Sequence, residues 1–182
     1  DMSVCVERIK ILVKNMLDFA KPAPPKFNRG RIEKVLDHCI GMMHAQIKKR
    51  KICLDVQIDP NTPEITYDSH QIEQVFINIL LNAMEAMPEG GDIIIQLKPQ
   101  LNASDSKNYV VVSMRDTGGG IPSENMPRIF DPFFTTKPDG TGLGLSIVHK
   151  ILEQHHSSIE VSSDPQGGTN VTLKFTTADM KR

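Results

Sequence analysis

Three polar side chains recur at every fourth position of an otherwise apolar stretch. Gln74, Asn78 and Asn82 share one face of the helix that this stretch predicts, about 6 Å apart per step. A buried amide without a partner costs about 1–3 kcal/mol, so these side chains need partners. One interpretation is that they bond to nearby backbone. The other is that their oxygens face a cleft and hold a divalent cation, which prefers oxygen ligands and brings phosphates with it.

A carboxylate stands beside a glycine cluster further along the chain. Asp116 ends a predicted strand and precedes Thr117 and three consecutive glycines. Glycine lets a ligand approach the backbone closely, and the carboxylate can accept a hydrogen bond from an exocyclic amine. Such a carboxylate distinguishes an amine from a carbonyl, because the wrong group leaves it unpaired. The alternative interpretation is a simple turn.

A second glycine motif, Gly140 to Ser146, leads directly into a predicted helix. Glycines before a helix leave its first N–H groups and the positive end of its dipole open to phosphate. The motif is not a dinucleotide fingerprint, because its spacing is G-x-G-x-G and a loop precedes it. It is not a Walker loop either, because no Lys follows the last glycine. A structural cap is the alternative.

Apolar periodicity predicts the elements that position these motifs. Helices are expected over 32–47, from Asp68 to about Met87, and from about Gly142 to His155; Asp68 with Gln71 is a capping signal. Strands are expected over 52–58, 65–67, 93–98, 109–115, 159–162 and 171–175. This order indicates an α+β fold, with a sheet covered on one face by helices. Residues 118–141 lack periodicity and predict a functional loop or a disordered one.

The first segment predicts a helix of a different kind. Met2, Val6, Ile9, Val13, Met16 and Ala20 follow a heptad seam, which must bury itself against other helices. The prolines at 22, 24 and 25 end this helix and predict a linker. Because the chain opens within the pattern, we expect it to be a fragment of a longer protein.

Composition excludes several classes of function. The chain has 182 residues, with 21 Lys and Arg against 22 Asp and Glu, so neither nucleic acid nor an anionic membrane is expected as a primary partner. No apolar stretch approaches the roughly 20 residues of a membrane helix. Cys5, Cys39 and Cys53 are odd in number and widely spaced, which favours reduced thiols in the cytoplasm and no metal site.

Taken together, the motifs identify a resemblance to the catalytic domain of sensor histidine kinases, in the GHKL superfamily of ATP-binding proteins. Four segments of the chain resemble, in order, the N, G1, F and G2 boxes of that family. They are Gln74-x3-Asn78-x3-Asn82-Ala83, Asp116-x-Gly118-x-Gly120, Phe130-x2-Phe133-Phe134 and Gly140-x-Gly142-x-Gly144. Gly167, Gly168 and Thr169 resemble the last glycine motif. The resemblance covers about 27–177 and implies a two-layer α/β sandwich with a mixed sheet and helices on one face.

The resemblance also implies the cofactors, which are ATP and Mg2+, and a role for each matching residue. Asn82 would ligate Mg2+, Asn78 would support the phosphate and metal site, and Asp116 would receive the adenine amino group. Thr169 would join Asp116 through a water, and Lys137 would reach the triphosphate. The remaining nucleotide-binding positions would be Gly118, Gly120, Gly142, Leu143, Gly144 and Leu145.

The loop over 118–141 would then be a lid, mobile without nucleotide, with Phe130, Phe133 and Phe134 as packing anchors. None of the six histidines is followed by an acidic residue, as the family's phosphoacceptor motif requires. The acceptor His is therefore expected upstream of Asp1. His70 and His149 are expected to be surface or packing residues.

The implied domains are the end of a dimerisation helix (1–22), a linker (23–28) and the catalytic domain (29–182). The implied partners are the protein's own phosphoacceptor helix, a response regulator receiver domain and a second subunit. The resemblance also allows for a membrane anchor elsewhere in the parent protein. Two alternatives remain: an ATPase or serine kinase of the same superfamily, and a scaffold that binds nucleotide without transfer. Related ATP-hydrolysing enzymes carry Glu where this chain has Asn78, which counts against the first.

Overall fold

A five-stranded mixed sheet forms one layer of the computed structural model, which describes residues 24–101, 108–138, 140–164 and 167–177. The elements, in chain order, are β1 (Asn28–Gly30), α1 (Glu33–Lys49), β2 (Ile52–Ile58), β3 (Ile65–Tyr67), α2 (Ser69–Glu85), β4 (Gly91–Leu101), β5 (Asn108–Asp116), α3 (Gly144–Gln154), β6 (Ser158–Asp164) and β7 (Gly168–Thr176). The sheet order is β2-β4-β5-β7-β6; β2 and β4 are parallel and the other pairs antiparallel. A separate small sheet joins β1 and β3.

Helices α1, α2 and α3 form the second layer. Side chains on the central strands alternate between buried and solvent-facing, as period-2 strands with one covered face require. The buried set packs with the apolar faces of α1, α2 and α3 in one core, in which Phe76 and Phe175 are the largest fully buried side chains. The predicted α+β class and helix-covered sheet are confirmed, and each helix and strand predicted within the described residues is present to within a few residues.

Two short elements have no counterpart in the sequence prediction. β1 has three residues, and a single 3-10 turn over Met126–Arg128 lies within the predicted loop. Both are too short to produce a periodic pattern. The heptad helix over 1–22 and Cys5 lie outside the described residues, and the division into domains remains a prediction; the expected boundary after residue 28 falls within β1.

Asp68 joins three parts of the fold. Its carboxylate caps α2 by accepting from the N–H groups of His70 and Gln71, at 3.0 and 3.1 Å, which confirms the capping signal. It also accepts from the N–H of Lys26, at 2.6 Å. Its own N–H donates to Nε2 of His155, just beyond the end of α3, at 3.0 Å. The chain entering β1, the start of α2 and the end of α3 therefore meet at this residue.

His155 is held as a neutral imidazole. Only 2% of it is exposed. Nε2 accepts from Asp68, so the proton lies on Nδ1, which donates to the carbonyl of Ile151 at 2.8 Å. The ring of Phe27 packs edge-on against it, with centroids 5.1 Å apart. Burial lowers the pKa of His155, against smaller opposing effects from Ile151 and the Asp68 carboxylate.

This burial predicts that stability falls with acidification. Below the ordinary histidine pKa of 6.5 the unfolded chain binds a proton that the folded protein resists, so stability is complete above that pH and decreases below it. The contribution has a slope of at most about 1.4 kcal/mol per pH unit. Urea denaturation measured from pH 8 to pH 5 should show this decrease in stability for the wild type, and the decrease should be absent from His155→Gln. Equal slopes for the two proteins would contradict the neutral, buried assignment.

Candidate nucleotide-binding site

Asp116 is a buried carboxylate at the last position of β5, as the sequence predicts. It is 6% exposed, and its Oδ1 accepts from the N–H groups of Gly118, at 2.9 Å, and Thr169, at 3.2 Å. Burial raises the pKa of Asp116, although these two hydrogen bonds and the charge of Lys137 act in the opposite direction. Both bonds end on Oδ1, so Oδ2 has no hydrogen-bond donor among the described residues. A carboxylate oxygen of this kind suits the amino group of a purine.

The last glycine motif contacts this carboxylate directly. Gly168 has a φ of +86°, and a Cβ at that position would lie 1.9 Å from the Asp116 carbonyl oxygen, so only glycine permits this approach of β7 to β5. The approach brings the Thr169 N–H to Asp116. The Thr169 hydroxyl lies 3.2 Å from the hydroxyl of Ser163. Thr169 therefore lies beside Asp116 as predicted, while its bridging water remains a prediction.

Asn78 and Asn82 on α2 differ in their partners: one bonds to nearby backbone, and the oxygen of the other faces a cation. The side-chain nitrogen of Asn78 donates to the carbonyl of Gln74 at 3.0 Å, which is the backbone bond of the first interpretation. Asn82 makes a contact with the loop instead: its Oδ1 accepts from the ammonium of Lys137 at 3.3 Å. This amide oxygen therefore already faces a cation. Oxygen is the ligand type that Mg2+ prefers, so the side chain suits a metal ion.

The start of α3 faces these amides. A Cβ on Gly144 would lie 3.3 Å from Oδ1 of Asn78 and 4.0 Å from Nδ2 of Asn82. The side chain of Leu143 is fully buried and anchors this end of the helix, and its N–H donates to the hydroxyl of Thr141 at 3.3 Å. The helix has no side-chain cap. No hydrogen-bond acceptor within the described part of the chain meets the N–H groups of Gly144, Leu145 and Ser146.

Open N–H groups at the positive end of a helix dipole are an anion site, and two oxygen-bearing amides lie against it. Gly142 permits this arrangement. Its φ is +67°, and a Cβ there would lie 2.4 Å from the carbonyl carbon of Phe133. Its carbonyl accepts from the Phe133 N–H at 2.9 Å, which joins the loop to the helix start. Gly120, also at a positive φ of 70°, turns the chain out of β5 into the loop.

The loop is ordered by short-range backbone bonds. Four backbone N–H groups each donate to the carbonyl three residues earlier; they belong to Asn125, Arg128, Asp131 and Phe134. Because these are separate turns and not a continuous helix or strand, they do not align side chains on one face, which explains the absence of a periodic pattern. Ile129 is buried. The mobility of this loop without nucleotide remains a prediction.

The three phenylalanines of the loop were predicted to be its packing anchors, and this is wrong for Phe133. Its side chain is 59% exposed, because a φ of +67° turns it outward while its N–H bonds to Gly142. Phe130 packs against His149, with ring centroids 5.3 Å apart. The guanidinium of Arg128 lies 4.4 Å over the ring of Phe134. Phe130 and Phe134 therefore each pack against a different partner.

Two residues near the candidate site have a role that the sequence did not predict. Glu85 lies one turn beyond Asn82 on α2 and pairs with Lys137, its Oε2 being 2.5 Å from Nζ. Its spacing of three from Asn82 is the one signal that places it on the same face. Thr117 donates its N–H to the Asp92 carbonyl and accepts from the Asp92 N–H, which fixes the strand end that carries Asp116.

A shallow concavity of about 600 Å³ lies on the uncovered face of the sheet, bordered by Ile94, Ser113 and Arg115 and, next to Asp116, by Gly168 and Thr169. It is open to solvent and separate from the asparagines and α3. Among the described residues, no group of three His, Cys, Asp or Glu side chains is arranged for a metal ion. None of the described helices combines the length and apolar character needed to cross a membrane.

Comparison with known proteins decides the family. Residues 67–179 match the family described as histidine kinase-, DNA gyrase B- and HSP90-like ATPase. This match spans more than half of the chain and includes α2, β5, the loop and α3. The chain belongs to this ATPase family. The matched range contains the amide-bearing helix, the buried carboxylate and the open helix start.

Similar proteins identify the branch of the family. Sporulation kinase E of Bacillus subtilis is 34% identical over 170 residues, which are 92% of this chain and 22% of that protein. The catalytic domain of the histidine kinase ThkA is 31% identical, with a TM-score of 0.73, over 84% of this chain and 98% of that one. ThkA in complex with the response regulator TrrA gives a TM-score of 0.80 at 28% identity, over 99% of this chain and 50% of the matched one.

The chain is thus the ATP-binding catalytic domain of a sensor histidine kinase, and the resemblance read from its motifs is confirmed. It spans 22% of the length of sporulation kinase E and 37% of that of sporulation kinase C of Bacillus subtilis. The predicted mixed-sheet α/β sandwich is confirmed by the structural similarity.

Proposed function

We propose that this catalytic domain binds Mg-ATP and presents the γ-phosphate to a histidine on another part of the longer protein. The observation that carries the proposal is a set of three groups: the amide oxygen of Asn82, the open N–H groups at the start of α3, which face that amide, and the buried carboxylate of Asp116, on which the charge of Lys137 acts. These groups suit a metal ion, phosphates and an adenine respectively.

The roles of the individual residues follow from their chemistry. Asn82 would ligate Mg2+, which neutralises phosphate charge when it is bound. Asn78 would position the phosphates beside Gly144. The N–H groups of Gly142, Gly144 and Leu145 would bind phosphate oxygens, whereas that of Leu143 must first leave the hydroxyl of Thr141.

At the other end of the cleft, Asp116 would accept from the adenine amino group. Thr169 would complete this contact through its hydroxyl and a water. Gly118 and Gly120 would allow the base to approach the backbone after β5. Lys137, already at Asn82, would reach the triphosphate.

At position 78, where related ATP-hydrolysing enzymes carry Glu, this chain has an amide instead of a general base. The amide of Asn78 does not titrate near neutral pH, and its nitrogen already donates to Gln74. We therefore expect this domain alone to release phosphate from ATP slowly, by about 10²–10⁴-fold relative to an enzyme with a positioned base. A continuous phosphate-release assay measures this rate. Rapid release would favour the alternative ATPase function.

Positioning and charge neutralisation are most of what phosphoryl transfer requires. The nucleophile would be a histidine of the protein's own helical domain, within a dimer. The phosphoryl group would then pass to an aspartate of a response regulator, an inference supported by the ThkA complex with TrrA. We place this domain in the cytoplasm, where ATP is available.

The decisive experiment uses the longer protein, with its helical domain present, and radiolabelled ATP. Acid-labile, base-stable labelling of that domain is expected, followed by transfer to a receiver domain. If ATP binds but no label appears, the protein is a nucleotide-sensing scaffold. If ATP does not bind, the site assignment itself is wrong.

A further inference from the structure

One side chain ties the loop to the helix that carries the asparagines. The ammonium of Lys137 lies 2.5 Å from Oε2 of Glu85 and 3.3 Å from Oδ1 of Asn82. Both acceptors lie on the last turn of α2, three positions apart, so they share a face. The backbone of Lys137 is also fixed, because its N–H donates to the hydroxyl of Thr135 at 3.1 Å.

This lysine occupies a place that the nucleotide must use. A metal ion on Oδ1 of Asn82 and an ammonium on the same oxygen are like charges in close contact, so they exclude each other. The charge of Lys137 also reaches Asp116, which stands at the adenine end of the cleft. The ammonium of Lys137 is therefore bonded at one end of the proposed site, and its charge also acts on the other.

We propose that Lys137 exchanges partners when nucleotide binds: it pairs with Glu85 in the free protein and with the polyphosphate in the complex, so that Glu85 lowers the affinity for nucleotide. The proposal rests on the proposed function, because it requires the polyphosphate to lie at Asn82. A polyphosphate offers several anionic oxygens to the ammonium, and a carboxylate offers two.

Glu85 opposes binding in two ways. It competes for the ammonium, and after the exchange it remains as an unpaired carboxylate beside the phosphates, where like charges repel. Lys137 has the opposite effect, because it supplies the attraction. The two members of one ion pair should therefore change the affinity in opposite directions. A pair that only supported the fold would change it in the same direction.

Isothermal titration with Mg-ATP tests this on single variants. Glu85→Gln should bind about 2–5-fold more tightly, as expected for a half-exposed ion pair. Lys137→Met should bind about tenfold more weakly, because it loses a charge-assisted hydrogen bond. Glu89→Gln is the matched control: it removes the same charge from an exposed position four residues on, and its affinity should stay within about twofold of the wild type.

The double variant separates exchange from simple repulsion. If Glu85 acts partly by competing for Lys137, the gain from Glu85→Gln must shrink when Lys137 is already Met. An undiminished gain in that background, or weaker binding by Glu85→Gln alone, would overturn the proposal.

A second measurement does not involve nucleotide. Amide hydrogen exchange over 129–138 in the free protein should become faster, and by similar amounts, in both single variants, because each breaks the same tie to α2. Unchanged exchange would show that the pair does not hold the loop and would overturn the proposal. A wild type that fails to bind Mg-ATP would refute the proposed function instead, while this exchange result would still report on the ion pair.

Discussion

Asn82→Ala should abolish phosphoryl transfer in the longer protein and remove the dependence of ATP affinity on Mg2+. The side chain presents an amide oxygen that already accepts from a cation, and alanine leaves a metal ion without a protein ligand at this point. Charge neutralisation of the transferring phosphate is the main catalytic contribution available here, so its loss should reduce transfer by at least about 10²-fold. Titrations with and without Mg2+, together with a labelling assay, measure both effects.

The helix itself should tolerate this change. Alanine is the residue that best favours a helix, and Asn82 is only half-buried, so the fold of α2 is preserved. His70→Ala, at the exposed start of the same helix, is a matched control and should bind Mg-ATP normally. If Asn82→Ala retains the full Mg2+ effect, the metal lies elsewhere.

Asp116→Asn should weaken ATP binding by about 1–3 kcal/mol, which is roughly 5–150-fold. The carboxylate oxygen that is free to accept from an adenine amino group becomes an NH2 group or loses its charge. The variant should also discriminate less between ATP and GTP, because guanine presents a carbonyl where adenine presents the amine. Competition titrations with the two nucleotides measure the affinity and the ratio.

The same substitution should leave the free protein at least as stable as the wild type. Since burial raises the pKa of Asp116, ionisation at neutral pH opposes folding, and asparagine removes that charge while its oxygen can still accept from Gly118 and Thr169. Asp92→Asn, an exposed acid on the neighbouring strand, is the control for both measurements. Weak ATP binding accompanied by a large fall in melting temperature would indicate a structural role for Asp116 instead.

The sequence alone was sufficient to predict the longer elements of the fold and to propose most residues of the candidate site. α2 was predictable because its apolar residues and asparagines recur at helical spacing within a few turns, and Asp68 marks its start. Asp116 was predictable as the end of an alternating strand next to glycines. These signals are local: each depends on residues close in the chain, where the period of the backbone decides which side chains share a face.

Contacts between distant residues were decided only by the tertiary structure. Lys137 meets Glu85 across 52 positions, and His155 meets Asp68 across 87, and no periodicity connects either pair. Likewise, the exposure of Phe133 follows from one positive φ, fixed by a bond to Gly142. A side chain's partner at such separations depends on how loops and layers pack, which is a property of the whole chain, whereas the candidate site residues could be proposed from their types and spacing alone.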